Sequence, residues 1–114
     1  MAEDLIKLHK ERLEIEDRIY AELNRISKIV NSYTKEGDEI EIIASTSYKF
    51  RVAEGDILAL VGNDSIFFKD LRISTDYQLV RLILERREEI LNKFIEFNER
   101  MIKMGKNITE SYLK

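Results

Sequence analysis

Three patterns of apolar and polar positions follow one another along the chain. From position 3 to 35, apolar residues recur at helical spacing among charges, and neither Gly nor Pro interrupts them. The spacing predicts a helix over 3–35. Glu3 and Asp4 suit its positive start and Lys35 its negative end, and Gly37 supplies a stop. Glu3–Lys7 and Glu14–Arg18 stand four apart with the acid first, the favourable order for helical ion pairs.

From 38 to 73 the period changes to two. Ile40 and Ile42 alternate with Glu39 and Glu41, and Tyr48, Phe50 and Val52 alternate with Lys49 and Arg51. Ile57 to Val61 is a continuous apolar run, as expected of a strand covered on both faces. Ile66, Phe67 and Phe68 form a fourth short run. Turn chemistry separates the four: Ser45-Thr46-Ser47, Glu54-Gly55-Asp56 and Gly62-Asn63-Asp64-Ser65. The simplest expectation is two consecutive β-hairpins, a thin sheet that needs something to pack on.

From 75 to 112 the helical period returns. Thr75 with Gln78 forms a capping-box pattern, and Glu89–Lys93, Glu96–Arg100 and Glu99–Lys103 repeat the four-apart pairing. Val80, Ile83, Arg87, Ile90, Phe94, Phe97, Met101, Met104 and Ile108 are spaced three, four, three, four, a heptad seam in which Arg87 is the only charge. If the β segment returns the chain to the end it left, the two helices fold back antiparallel, with facing positions that sum to 113. Tyr33 then meets Val80, Val30 meets Ile83, Leu23 meets Ile90 and Ile19 meets Phe94. The expected fold class is thus α+β, a single domain of two long antiparallel coiled-coil helices joined by two consecutive β-hairpins, with the first and last thirds of the chain side by side. In the outer half, Glu16, Arg12 and His9 fall opposite Phe97, Met101 and Met104, and Ile6, Leu13, Ile95 and Ile102 remain on flanks. Either a second chain covers these residues, as in a dimeric four-helix bundle, or they stay open to bind apolar segments of other proteins.

Composition sharpens this picture. The chain has 114 residues, enough for one domain; 44% are apolar and 36% charged, an excess of charge that suits long exposed helices. It contains no Cys, Pro or Trp and one His, which removes disulfides, thiolate nucleophiles and multi-histidine metal sites. A net charge of −3 argues against nucleic acid as the main partner. No apolar run approaches a membrane span, and residues 1–10 lack the apolar stretch of a signal peptide, so a cytoplasmic location is expected. His9 stands without partners. Glu88 and Glu89 point about 100° apart on a helix and share no site. Ser45-Thr46-Ser47 reads as a turn, and Gly62-Asn63-Asp64 is too short and acidic to cradle phosphate. Arg100, Lys103 and Lys106 make a small basic stripe that Glu96 and Glu99 offset. Nothing converges on catalysis or on a cofactor.

Helix, hairpins, helix, with Glu39-Ile40-Glu41-Ile42-Ile43-Ala44-Ser45 entering the first hairpin and Leu60-Val61-Gly62-Asn63-Asp64-Ser65-Ile66-Phe67-Phe68-Lys69 as strand, glycine turn and aromatic strand, resembles the alpha class of the prefoldin family. The match covers the middle third; the helices agree in pattern only. The resemblance implies an ATP-independent holdase chaperone with no cofactor. Its hairpins would join other prefoldin-type subunits through Ile40, Ile42, Tyr48, Phe50, Ile57, Ala59, Val61, Ile66 and Phe68. Its helix tips would hold unfolded protein through Leu5, Ile6, Leu8, Phe97, Met101, Ile102, Met104, Ile108, Tyr112 and Leu113, and pass it to a chaperonin. The competing expectation is a structural or adaptor protein, an obligate oligomer that consumes all its apolar faces internally.

Overall fold

The computed structural model describes residues 1–113. Its element order is a long helix α1 (Ala2–Tyr33), four strands β1 (Glu39–Ile43), β2 (Ser47–Ala53), β3 (Asp56–Val61) and β4 (Asp64–Phe67), a single 3-10 turn at Phe68–Asp70, and two consecutive helices α2 (Tyr77–Glu85) and α3 (Arg87–Tyr112). The four strands form one antiparallel sheet in the order β1-β2-β3-β4. The molecule is therefore a helix, then a sheet, then helices, and the expectation of two coiled-coil helices flanking two hairpins is overturned.

Two findings account for the correction. The first lies in the middle turn. Glu54 and Gly55, read from sequence as a separator between hairpins, are themselves a two-residue hairpin loop, both in the left-handed region (φ 51° and 76°). Such a loop matches the twist of paired strands, so β2 pairs with β3, with Phe50 opposite Ala59 and Val52 opposite Ile57. Glu54 carries a side chain where glycine or asparagine is at ease. Glu54→Asn should raise the free energy of unfolding by about 0.5–1 kcal/mol, seen as a higher urea midpoint with an unchanged slope.

The second finding is the direction of the C-terminal helices. Ile19 lies beside Val80 and Leu84, Glu22 Oε1 is 3.8 Å from Arg87 Nε, and Val30 lies beside Leu91 and Phe94, with Tyr33 next to Ile102. Residue numbers rise together along both partners, so α1 and the α2–α3 unit run parallel. None of the pairs that sum to 113 is formed in this register. With Glu22 level with Arg87, the helices span roughly 68 Å from Ala2 to Tyr112 at 1.5 Å per residue, in keeping with the molecule's long dimension of 75 Å. Antiparallel helices lying side by side would be about 48 Å long, the length of α1 alone.

The sheet produces this displacement. An even number of antiparallel strands returns the chain to the same strand end, but three strand spacings, about 14 Å, away from where it left. The segment after the 3-10 turn carries it further, and the Tyr20 hydroxyl accepts a hydrogen bond from Ile73 N (3.1 Å), fixing the approach to α2 beside the middle of α1. The helix start also differs from expectation. Asp76, not Thr75, is the residue before the first turn, and no side-chain cap forms; its carboxylate instead accepts from Arg72 N and Thr75 Oγ1. The single C-terminal helix is bent at Arg86 (φ −111°, ψ 17°), where the guanidinium donates to the carbonyl of Ile43 at the end of β1 and to Glu89. The four-apart pairs read from sequence give way to Arg12–Glu16, Lys93–Glu96 and Arg86–Glu89.

One core holds the layers together. Ile40, Ile42, Phe50, Val52, Ile57 and Ala59 fill one face of the sheet; Leu23, Ile26 and Val30 come from α1, Val80 and Ile83 from α2, Ile90 and Phe94 from α3. Phe68 meets Phe50 edge-on, ring centroids 6.1 Å apart. The inner half of the heptad seam is thus buried as expected, but against the sheet and a parallel α1 rather than an antiparallel coiled-coil mate.

A buried carboxylate ties the layers. Asp56, at the start of β3, is 7% exposed. It accepts from Ser27 Oγ of α1 (2.5 Å), from Ile57 N (2.8 Å) and from Lys69 N of the 3-10 turn (3.0 Å). Asn31 donates to Ser27 Oγ at 2.9 Å and reaches Asp56 at 3.5 Å. A buried charge tolerates its surroundings only when it is fully hydrogen-bonded; here four donors from three elements do so.

Candidate interaction surface

Beyond the core, each end of the helical layer continues as a projecting arm. The first arm is the amino-terminal half of α1, where every side chain up to Ile15 is exposed; the second is α3 beyond Asn98. Helix geometry sets stripes on both. Leu5, Leu8 and Ile15 recur at three and seven residues, and Ile6 and Leu13, seven apart, lie on the opposite side of the helix. Met101, Met104 and Ile108 continue the seam of α3. These side chains are large, apolar and about half or more in solvent, Leu5 at 69% and Ile108 at 54%. An isolated exposed leucine has no meaning, but these two stripes are contiguous apolar surface that the chain's own core leaves uncovered.

Of the residues assigned to client capture, Leu5, Ile6 and Leu8 lie on the first arm and Met101, Ile102, Met104, Ile108, Tyr112 and Leu113 on the second, all exposed. The parallel arrangement places the two groups at opposite ends of the molecule, so they do not form one tip. Phe97 is half-buried at the root of the second arm, with the Arg100 guanidinium 5.2 Å from its ring centre. Of the residues assigned to subunit joining, Ile40, Ile42, Phe50, Ile57, Ala59 and Phe68 are buried in this chain's own core, and Tyr48, Ile66 and Val61 are partly covered. The sheet face assigned to a partner is occupied by α1, α2 and α3.

A groove of about 460 Å³ lies between the end of α1 and α3, lined by Ile29, Tyr33, Leu91, Ile95 and Ile102, with Val30 and Phe94 beneath. The sequence carried a signal for it: Leu91, Ile95, Asn98 and Ile102 form a second stripe at four, three, four, alongside the seam. Leu13 and Ile15, outside the residues assigned to capture, belong to the exposed first arm. The Asp56 network was read as turn chemistry alone, because nothing in the local sequence shows Ser27 and Asn31 converging on it.

Charge on the arms is unequal. Residues 2–17 hold six acids and three bases, whereas residues 98–114 hold four bases and two acids. Nearer the body, Arg25 donates two nitrogens to Glu22, and that hydrogen bonding is the chief reason the Glu22 carboxyl titrates below the ordinary range.

A cleft of about 560 Å³ between β4 and the start of α2 brings Asp64, Ser65, Thr75, Asp76 and Tyr77 together. Asp76 is committed to Arg72 N and Thr75 Oγ1, and no lysine, arginine, histidine or cysteine lies among the lining residues to work with the Asp64 carboxylate. Among the described residues, no three His, Cys, Asp or Glu side chains gather as a metal site, and no helix is long and apolar enough to cross a membrane. No family model, curated protein or solved structure matches the chain.

Proposed function

We propose that this is a non-catalytic protein-binding module, an assembly or adaptor protein of the cytoplasm that acts through apolar helix–helix contact. The observation that carries the reading is the pair of projecting arms, whose exposed aliphatic stripes continue well past the point where the chain's own core ends. Fully burying such a side chain is worth about 1.5–3 kcal/mol; with these about half exposed, each stripe contributes several side chains' worth of burial against the cost of association. The test is native mass across a concentration series together with binding of a dye that fluoresces on apolar surfaces. The expected result is a defined oligomer with little dye signal, giving way to a dye-binding monomer on dilution. A monomer that binds no dye at any concentration contradicts the reading.

A second reading is favoured by one specific observation. Met101 and Met104 stand half-exposed beside Phe97, and flexible thioethers adapt to many apolar shapes. On that reading the arms hold unfolded clients without nucleotide, as the prefoldin resemblance implies, with other subunits or a chaperonin as further partners. Light scattering of a denatured client separates the two. Suppression of aggregation by a stoichiometric excess of the protein favours the holdase, and no suppression favours the adaptor.

A further inference from the structure

The parallel helices have a geometric consequence. The two apolar stripes lie at opposite ends of one molecule and point away from each other along the chain, so they cannot pair within it. A two-fold axis across the middle of the molecule does what the chain cannot. It lays the first arm of one copy antiparallel against the second arm of the other, and does so twice.

We propose that the occupant of each arm is the opposite arm of a second copy, giving a closed dimer built by reciprocal arm pairing. The inference rests on the binding-module reading and names its partner. Two observations fit it. The apolar stripes match in register: with facing positions that sum to 116, Leu8 meets the partner's Ile108, Ile15 the partner's Met101 and Ile19 the partner's Phe97, while Arg12 falls opposite the partner's Met104 and snorkels outward. The area is sufficient: each contact joins about four large apolar side chains from either arm, and two contacts bury roughly 1,500 Å² in all, the size of a stable interface. A self-complementary surface of this kind closes at two copies.

The absence of cysteine makes the test clean. Four double variants are oxidised at low concentration: Leu8→Cys with Ile108→Cys, Ile15→Cys with Met101→Cys, Leu8→Cys with Met101→Cys, and Ile15→Cys with Ile108→Cys. All four positions lie outside the core, and circular dichroism verifies that each variant is folded. Antiparallel reciprocal pairing predicts covalent dimers in high yield from the first two and at least tenfold less from the last two. Ile15→Asp, kept free of cysteine, should shift the native mass to monomer. Cross-linking in the last two with ladders of higher species would overturn the proposal in favour of head-to-tail polymers, while the binding-module reading stands. An oligomer without any of the four cross-links also overturns it and places the interface elsewhere. A monomer that binds the dye overturns the second copy as occupant and leaves the arms to another protein. A monomer that binds no dye removes both the proposal and the reading beneath it.

Discussion

Phe50→Ala should lower the free energy of unfolding by about 3–5 kcal/mol, a large part of the 5–15 kcal/mol that holds an ordinary domain together. Phe50 is wholly buried, sits in the centre of the sheet opposite Ile40 and Ala59, and carries the edge-on contact with Phe68. Truncation leaves a cavity walled by strands on one side and helices on the other, neither of which can relax far. Equilibrium urea unfolding followed by circular dichroism measures it. The distinction from a subunit-joining role is sharp: a residue placed between chains would change the concentration dependence of the mass and leave the folded protomer intact. Phe50→Ala is expected to lower the urea midpoint of the protomer itself. An unchanged midpoint with loss of oligomer would return Phe50 to the outside of the chain.

Asp56→Ala should cost about 3 kcal/mol, because it strands several donors that the fold has already taken out of water. Ser27 Oγ, Ile57 N and Lys69 N would lose a charged acceptor, and Asn31 the far end of its network. Asp56→Asn keeps the shape and one acceptor oxygen, yet turns an amide NH2 toward a donor, so about half that loss is expected. Ser27→Ala removes a single donor and should cost about 1 kcal/mol. The ordering Ala, then Asn at position 56, then Ala at position 27 is the signature of an acceptor shared by three elements. Equal and small effects in all three would mean that the carboxylate is hydrated and ties nothing.

Much of this architecture was legible in the chain. The change of period at 38 and again near 75 marked the sheet and the return to helix, and the alternation at Ile40, Ile42, Phe50 and Val52 picked out the face that the core occupies. What was not legible was direction. Val80, Ile83, Ile90 and Phe94 repeat as a coiled-coil seam would, but a helix lying on a sheet shows the same stripe, and over two heptads periods of 3.5 and 3.6 residues differ by only about 40°. Strand count then suggested that the helices return side by side, because the sideways advance of a meander leaves no trace in hydrophobic periodicity. Glu54-Gly55 looked like punctuation between hairpins, although two residues in the left-handed region are what a tight hairpin loop requires.

The candidate surface was legible in part for the same reason. Met101 and Met104 stood out as apolar residues opposite polar ones in the antiparallel alignment, in which Leu5 faced Ile108; in the parallel arrangement all four are exposed and Leu5 and Ile108 lose each other as mates. Their separation to opposite ends is a property of topology alone. It turns one expected tip into two surfaces and makes a second copy of the chain a geometric fit. Arg87, the one charge in the seam, marks the place where that alignment fails: it lies in solvent against Glu22 instead of facing Ile26 across a helix pair.

The parallel course of α1 and α3 is the claim on which the rest depends, and one distance tests it. Spin labels on Leu5→Cys and Ile108→Cys in the same chain, diluted into an excess of unlabelled protein so that only pairs within a molecule contribute, should lie roughly 57 Å apart, the rise of the helix residues between them. A separation of about 10 Å, the spacing of packed antiparallel helices, would contradict the account.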